Sequence, residues 1–169
     1  IIITFILVIQ CIFLTSVLAA VGCTLTDPDR DIKRIFPEFT GYKTEFITIE
    51  EKGGQYLKKT IEEKLGDQLE SIYESIDVPY AYYNIWAQKK LIGRVHGVNQ
   101  KGTYGGIQII LATDLEGKLI DFYYQRISSP ESKKFRDKEF LKQFVGLKLE
   151  DFYSESIISK IKDPSENSA

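Results

Sequence analysis

Residues 102–146, GTYGGIQIILATDLEGKLIDFYYQRISSPESKKFRDKEFLKQFVG, are the most informative part of this chain about its fold. After a glycine-rich turn come two apolar runs, Ile107 to Thr113 and Leu119 to Arg126. The glycine in the Asp114–Gly117 segment between them is typical of a β-hairpin turn. A Ser-Ser-Pro loop follows, and the residues from Asp137 to Val145 then predict a helix that ends at a glycine.

The residues before this stretch predict two more strands and at least one more helix. Tyr80–Gln88 and Leu91–Val98 are rich in aromatic and β-branched side chains, as strands are. From Gln55 to Ile76 apolar residues recur every three or four positions, which predicts one helix, or two if Gly66 interrupts it. A final helix is predicted from Leu149 to Ile161.

The region 23–54 predicts a short helix and then an extended segment. Asp27 is a suitable N-cap, Pro28 suits the first helical position, and Pro37 ends the helix. The segment from Phe39 to Ile49 alternates weakly between apolar and polar residues, which indicates extended chain. We therefore expect this region to connect the N-terminal segment to the main domain.

The composition favours a single packed domain. A chain of 169 residues has room for one domain of ordinary size and one additional element. Its hydrophobic content of 43% supports a core, and its 22 basic and 24 acidic residues leave no broad positive surface for nucleic acid. The predicted fold is α+β, an antiparallel sheet with packed helices, in residues 55–169.

The N-terminal residues 1–22 contain no charged side chain. A run of about 20 apolar residues is the length that a helix needs to cross a bilayer, so we expect a retained transmembrane helix. A cleaved signal peptide is the alternative, although its apolar core is usually shorter. Cys23 follows Ala20-Val-Gly, which is similar to a lipoprotein processing site. Because Cys11 and Cys23 are the only cysteines, a disulfide-built domain is excluded.

Two loops within residues 102–146 are candidates for ligand binding. Because Gly102, Gly105 and Gly106 have no side chain, their backbone amides can approach a flat or anionic ligand. The side chain of Tyr104 could stack on a ring of that ligand. The alternative is that this is only a turn between strands. Ser129-Pro130 predicts a rigid loop that offers a hydroxyl and backbone amides.

Other chemistry has few candidate residues. His96 is the single histidine, so a transition-metal site is not expected. No nucleophile–base pair or carboxylate cluster stands out, which leaves hydrolysis without candidates. Phe140 and Phe144 have the spacing of a pair that faces the core from one side of a helix.

Taken in order, these features resemble the FMN-binding domain of the flavin subunits in the sodium-pumping NADH:quinone oxidoreductase and Rnf complexes. In that family a glycine turn precedes a strand pair, a Glu-Thr-Pro-Gly-Leu-Gly loop follows, and a helix carries Phe-x-x-Gln-Phe-x-Gly. The resemblance covers roughly residues 30–168. It implies an FMN site at the matching positions, which are Gly102, Tyr104, Gly105, Gly106, Ser128, Ser129, Pro130, Lys134, Gln143 and Ser168.

The chain departs from the family pattern in two places. Glu131 and Lys133 replace two loop glycines, and Ser128 replaces the acid. In the family a C-terminal Ser-Gly-Ala-Thr holds FMN through a phosphoester to Thr, where this chain has Ser165-Glu-Asn-Ser168-Ala. We therefore expect any FMN to be bound non-covalently, unless Ser168 takes the place of the threonine.

The resemblance implies a single-pass subunit of a respiratory or photosynthetic electron-transfer complex in the bacterial inner membrane. Residues 1–22 would lie in the bilayer and the domain on the extracytoplasmic, periplasmic side. Its partners would be the other subunits of the complex. It would relay electrons between their cofactors and would not be a stand-alone catalyst. Two alternatives remain: a flavin-free structural or docking subunit, and a free-standing lipoprotein sensor.

Overall fold

The protein is an α+β domain built on one antiparallel sheet, as the sequence predicts. The structure is a computed structural model that describes residues 24–66, 77–153, 157 and 159–164. Within these residues the sheet has five strands in the order β1-β2-β3-β4-β5, so each strand pairs with its neighbour in sequence. The strands are β1 (Gly41–Ile47), β2 (Tyr80–Ala87), β3 (Lys90–Gly102), β4 (Gly105–Thr113) and β5 (Leu119–Ile127).

Short helices surround the sheet. They are α1 (Pro28–Ile35), α2 (Ile49–Lys52), α3 (Gly54–Leu65), α4 (Ser132–Phe135), α5 (Lys138–Lys142) and a 3-10 helix (Leu149–Tyr153). As predicted, Asp27 caps α1, and its side chain accepts a hydrogen bond from the Arg30 amide at 3.2 Å. Over the described residues no helix combines the length and the apolar character needed to cross a membrane.

The core lies between α1 and one face of the sheet. Ile32 of α1 and Phe36, which directly follows this helix, are buried against side chains from the four strands β2 to β5. Burying each stabilises the fold by about 1.5–3 kcal/mol. Gly93 on β3 makes room for this helix, since a Cβ there would lie 2.6 Å from the Phe36 ring. The buried apolar side chains on the sheet are Tyr83, Ile85, Val95, Ile110, Ala112 and Tyr123.

Residues 24–54 contribute a helix and an edge strand to the domain, although the sequence predicts region 23–54 to be a connection. β1 forms an edge of the same sheet, paired with β2 from Gly41–Trp86 to Ile47–Tyr80. The Leu25 amide, just before α1, donates to the Tyr83 hydroxyl at 2.8 Å. Spacing within the sequence could not reveal this, because the contacts join residues far apart in the chain.

Several element boundaries differ from the sequence predictions. β3 extends to Gly102, beyond the predicted end at Val98, and the Ser-Ser-Pro loop runs directly into α4, which the sequence did not predict. α3 ends at Leu65, with Gly66 as its left-handed C-cap. The helix predicted from Asp137 is shorter, and Leu149–Tyr153 is a 3-10 helix. The predicted transmembrane segment 1–22 and residues 67–76, 154–156 and 158 lie outside the described residues.

Candidate functional site

The glycine turn connects β3 to β4 as a tight hairpin. Gly102 pairs with Gly105, which leaves Thr103 and Tyr104 as the two turn residues. Gly105 has φ +124°, a conformation that residues with a side chain rarely adopt. A Cβ there would also lie 3.1 Å from the Cβ of Ser128. The glycine therefore serves both the turn and the close approach of the next loop.

The Ser-Ser-Pro loop lies directly beside this turn. The Ser128 amide donates to the Gly106 carbonyl at 3.3 Å, which ties the loop to the start of β4. The Ser129 hydroxyl accepts from the Glu131 amide at 3.2 Å, and the Ser129 carbonyl accepts from the Ser132 amide at 3.1 Å. These bonds make a turn in which Pro130 is exposed. The two loops predicted to form a site thus meet in space.

Together they form a cleft of about 330 Å³, which we call the hairpin cleft. Its floor is apolar and comes from the two strands that follow the glycine turn and from α4. Tyr104 stands at the rim, 65% exposed. The lining residues are Gly102, Thr103, Tyr104, Ile107, Tyr124, Ile127, Ser128, Ser129, Glu131 and Phe135.

The apolar floor of the hairpin cleft is not among the site residues predicted from the sequence. Ile107, Tyr124, Ile127 and Phe135 line it in addition to the predicted loop residues. The nearly continuous apolar runs of β4 and β5 indicate it, because successive side chains of a strand point to opposite faces and a continuous run leaves apolar side chains on both. That pattern does not say which face lies beneath the loops.

Glu131 is the one charged residue among those that line the hairpin cleft. It makes an ion pair with Lys134, with 3.0 Å between Oε1 and Nζ. Both side chains are partly buried, at 22% and 34% exposure. Lys134, a predicted cofactor contact, is therefore engaged by the carboxylate that replaces a family glycine. The lining suits an uncharged flat ring better than a phosphate, since a carboxylate repels an anion.

The two phenylalanines of the Phe-x-x-Gln-Phe-x-Gly motif pack against other aromatic side chains of the domain. Five aromatic side chains, which we call the aromatic cluster, form a closed set of edge-to-face contacts with ring centroids 5.3 to 6.4 Å apart. Each such pair stabilises by about 0.5–1.5 kcal/mol beyond its buried area. The members are Phe122, Tyr124, Phe135, Phe140 and Phe144. Two of them, Tyr124 and Phe135, also line the hairpin cleft.

Gln143 holds the C-terminal segment rather than lining the hairpin cleft. Its Oε1 accepts from the Lys162 amide at 2.8 Å, and its Nε2 donates to the Lys162 carbonyl at 3.2 Å. Beyond Lys162, Pro164 lies in a hollow that Phe135 and Phe140 also line. Phe135 is the residue that this hollow and the hairpin cleft share. Ser168, the remaining predicted contact, lies outside the described residues.

His96 lies on β3, where its ring stacks on that of Tyr82 at a centroid distance of 6.1 Å. Burial, assisted by the positive charge of Arg94, lowers the pKa of His96 to about 4. The Tyr82 hydroxyl donates to Glu45 at 2.6 Å, a bond that lowers the pKa of the Glu45 carboxyl. Within the described residues these groups form a polar row across β1, β2 and β3.

Comparison of the chain with models of known protein families finds no match. Comparison with curated proteins finds none either.

Proposed function

We propose that the hairpin cleft binds the ring of a flavin mononucleotide and that the chain is a membrane-anchored electron-transfer subunit. The observation that carries this proposal is the meeting of the glycine turn and the Ser-Ser-Pro loop above an apolar floor. A volume of about 330 Å³ is at the lower end of the range for small-molecule sites, enough for one planar ring system.

The residues of the cleft would hold such a ring in a defined way. Ile107, Ile127 and Phe135 would cover its apolar part and exclude water. Tyr104 at the rim is placed to stack on it, while the hydroxyls of Thr103 and Ser128 offer hydrogen bonds to its polar edge. A bound flavin supplies the electron-carrying chemistry, and the protein supplies position and surroundings.

The location in the cell is a further part of the proposal. The apolar segment 1–22 would anchor the domain in the bacterial inner membrane, with the domain on the extracytoplasmic side. Support comes from the uncharged sequence and the family resemblance. The partners would be other subunits of a respiratory or photosynthetic electron-transfer complex.

A flavin-free docking subunit is the second candidate, and specific contacts favour it. Gln143 binds the backbone of Lys162, and Phe140 and Phe144 pack within the aromatic cluster. The most specific part of the family motif is therefore accounted for by structure alone. In addition, Glu131 brings a negative charge to the cleft.

Titration of the purified full-length chain with FMN and with riboflavin tests the proposal. Because the cleft lining contains no cation, we expect the two to bind with affinities within about tenfold of each other. Tyr104→Ala should weaken both by roughly three- to tenfold, as expected for loss of one aromatic contact. Tyr56→Ala is the matched control, since Tyr56 is a tyrosine on α3 that is 82% exposed.

Three results would change this conclusion. If neither compound binds and the fold is intact, the docking subunit is the better description. Equal weakening by Tyr104→Ala and Tyr56→Ala would remove the hairpin cleft as the site. Flavin that stays on the polypeptide after denaturation would contradict the expected non-covalent attachment.

A further inference from the structure

Arginine side chains from two separate elements converge beside β5. Arg30 and Arg34 lie one turn apart on α1, and Arg136 follows α4. They surround a hollow of about 430 Å³, which we call the arginine hollow. Its lining residues are Arg30, Asp31, Arg34, Tyr123, Tyr124, Gln125 and Arg136.

One of the three arginines is neutralised inside the protein. Asp31 is 1% exposed, and its Oδ1 accepts from Arg30 Nε at 3.0 Å and from Arg30 Nη2 at 2.9 Å. Its Oδ2 accepts from Gln125 Nε2 at 3.4 Å. A buried carboxylate needs charged or hydrogen-bonding partners. The positions of the Arg30 and Gln125 side chains therefore follow from their contacts with Asp31.

The other two arginines have no such explanation. The Arg34 guanidinium lies 3.9 Å above the Tyr123 ring. Arg136 donates through Nη1 to the Tyr124 carbonyl. In the described part of the chain no carboxylate lies within ion-pair distance of either one. Both side chains belong to exposed residues, so their remaining N–H groups can be reached from solvent.

Two polar groups at the floor of the hollow are buried. The Gln125 carbonyl oxygen makes no hydrogen bond in the described part of the chain, and the Tyr123 hydroxyl lies beside the Asp31 carboxylate. Tyr123 is only 8% exposed, and burial, followed by hydrogen bonding to Asp31, raises its pKa. The hydroxyl therefore stays protonated and uncharged, and the positive charge that faces the hollow comes from Arg34 and Arg136.

We propose that the arginine hollow is a binding site for a phosphate group, held chiefly by Arg34 and Arg136. Guanidinium groups bind phosphate through paired, charge-assisted hydrogen bonds, and two of them from different elements can grip one anion from two sides. The site is separate from the hairpin cleft and does not rest on the proposed flavin function.

Either a phospholipid headgroup or a free phosphate compound can supply this group. The apolar segment ends at residue 22, and the chain from there to Arg30 spans at most about 28 Å when fully extended. A membrane that contains residues 1–22 would therefore lie within reach of the hollow. The probes must separate the two sources.

The test uses the full-length chain in a non-ionic detergent with three probes. These are inorganic phosphate, short-chain phosphatidylglycerol and short-chain phosphatidylcholine, with binding measured by calorimetry. We expect Arg34→Gln and Arg136→Gln each to weaken binding of the phosphate group about tenfold or more. Arg126→Gln is the control, because Arg126 is an exposed arginine on β5 outside the hollow.

Arg30 is left in place, because its removal would strip the buried Asp31 of its cation. Thermal unfolding of each variant checks that the fold is retained. Binding of phosphate and of both lipids identifies any accessible phosphate group as the ligand. Binding of phosphatidylglycerol alone identifies an anionic headgroup, and binding of phosphate alone identifies a free compound. No binding of any probe, or the same loss in Arg126→Gln, would overturn the proposal.

Discussion

Gly105 shows how one residue without a side chain allows two loops to meet. Its φ of +124° belongs to the tight hairpin, and its missing Cβ leaves the space that Ser128 occupies. The neighbouring Gly106 has neither constraint, since a Cβ there would meet no atom within 4 Å. Two glycines that are adjacent in the sequence therefore differ in what they contribute to the site.

We expect Gly105→Ala to lower the free energy of unfolding by roughly 1–3 kcal/mol, because alanine is strained at this φ and crowds Ser128. Gly106→Ala should change it by less than about 0.5 kcal/mol. Urea denaturation followed by the fluorescence of the single tryptophan, Trp86, measures both. Similar losses in the two variants would contradict this account of Gly105.

Among the elements, the Gln143 side chain joins the C-terminal segment to the turn that follows α5. Gln143 makes both hydrogen bonds of the Lys162 backbone, in the way that a neighbouring strand would. It also donates to the Phe140 carbonyl at 3.3 Å. The glutamine of the motif thus connects the aromatic cluster to the end of the chain.

Gln143→Ala should therefore release the segment around Lys162 while leaving the sheet intact. Losing the two hydrogen bonds should cost about 1–2 kcal/mol of local stability. Amide exchange at Lys162 would then become roughly 5- to 30-fold faster. Lys142→Ala is the control. Lys142 is the exposed last residue of α5, next to Gln143, and pairs only with Glu139 among the ion pairs of the described residues, so its removal should leave this exchange unchanged. Unaltered exchange in Gln143→Ala would refute the role of the side chain.

For the molecule as a whole, the partly buried His96 couples stability to pH. Its folded pKa of about 4 is below the ordinary value of 6.5, so between these limits the unfolded chain binds a proton that the folded chain does not. The contribution of His96 is fully present above about pH 6.5 and is lost as the pH falls towards about 4.

Between about pH 7 and about pH 4.5 we expect this histidine to account for a loss of about 2–3 kcal/mol. Urea denaturation at both pH values measures the loss. His96→Gln serves as the control, because the chain has no other histidine and the variant keeps every carboxylate. An equal loss of stability in the wild type and the variant would show that His96 does not cause the pH dependence.

Local sequence patterns were enough to predict the α+β class, the antiparallel hairpins, the capped helix at Asp27 and the position of the glycine turn before β4. These features follow from local periodicity, capping residues and turn residues, which act over a few positions. The same local information marked Gly102–Gly106 and Ser128–Pro130 as candidate loops.

Which of these parts meet is visible in the tertiary structure alone. It placed α1 and β1 within the core and sheet, closed the aromatic cluster, directed Gln143 to Lys162 and brought Arg34 and Arg136 to one hollow. The physical reason is that these contacts join residues distant in the chain, and their partners are selected by packing and charge across the folded sheet. No repeat or residue spacing in the sequence indicates these long-range contacts.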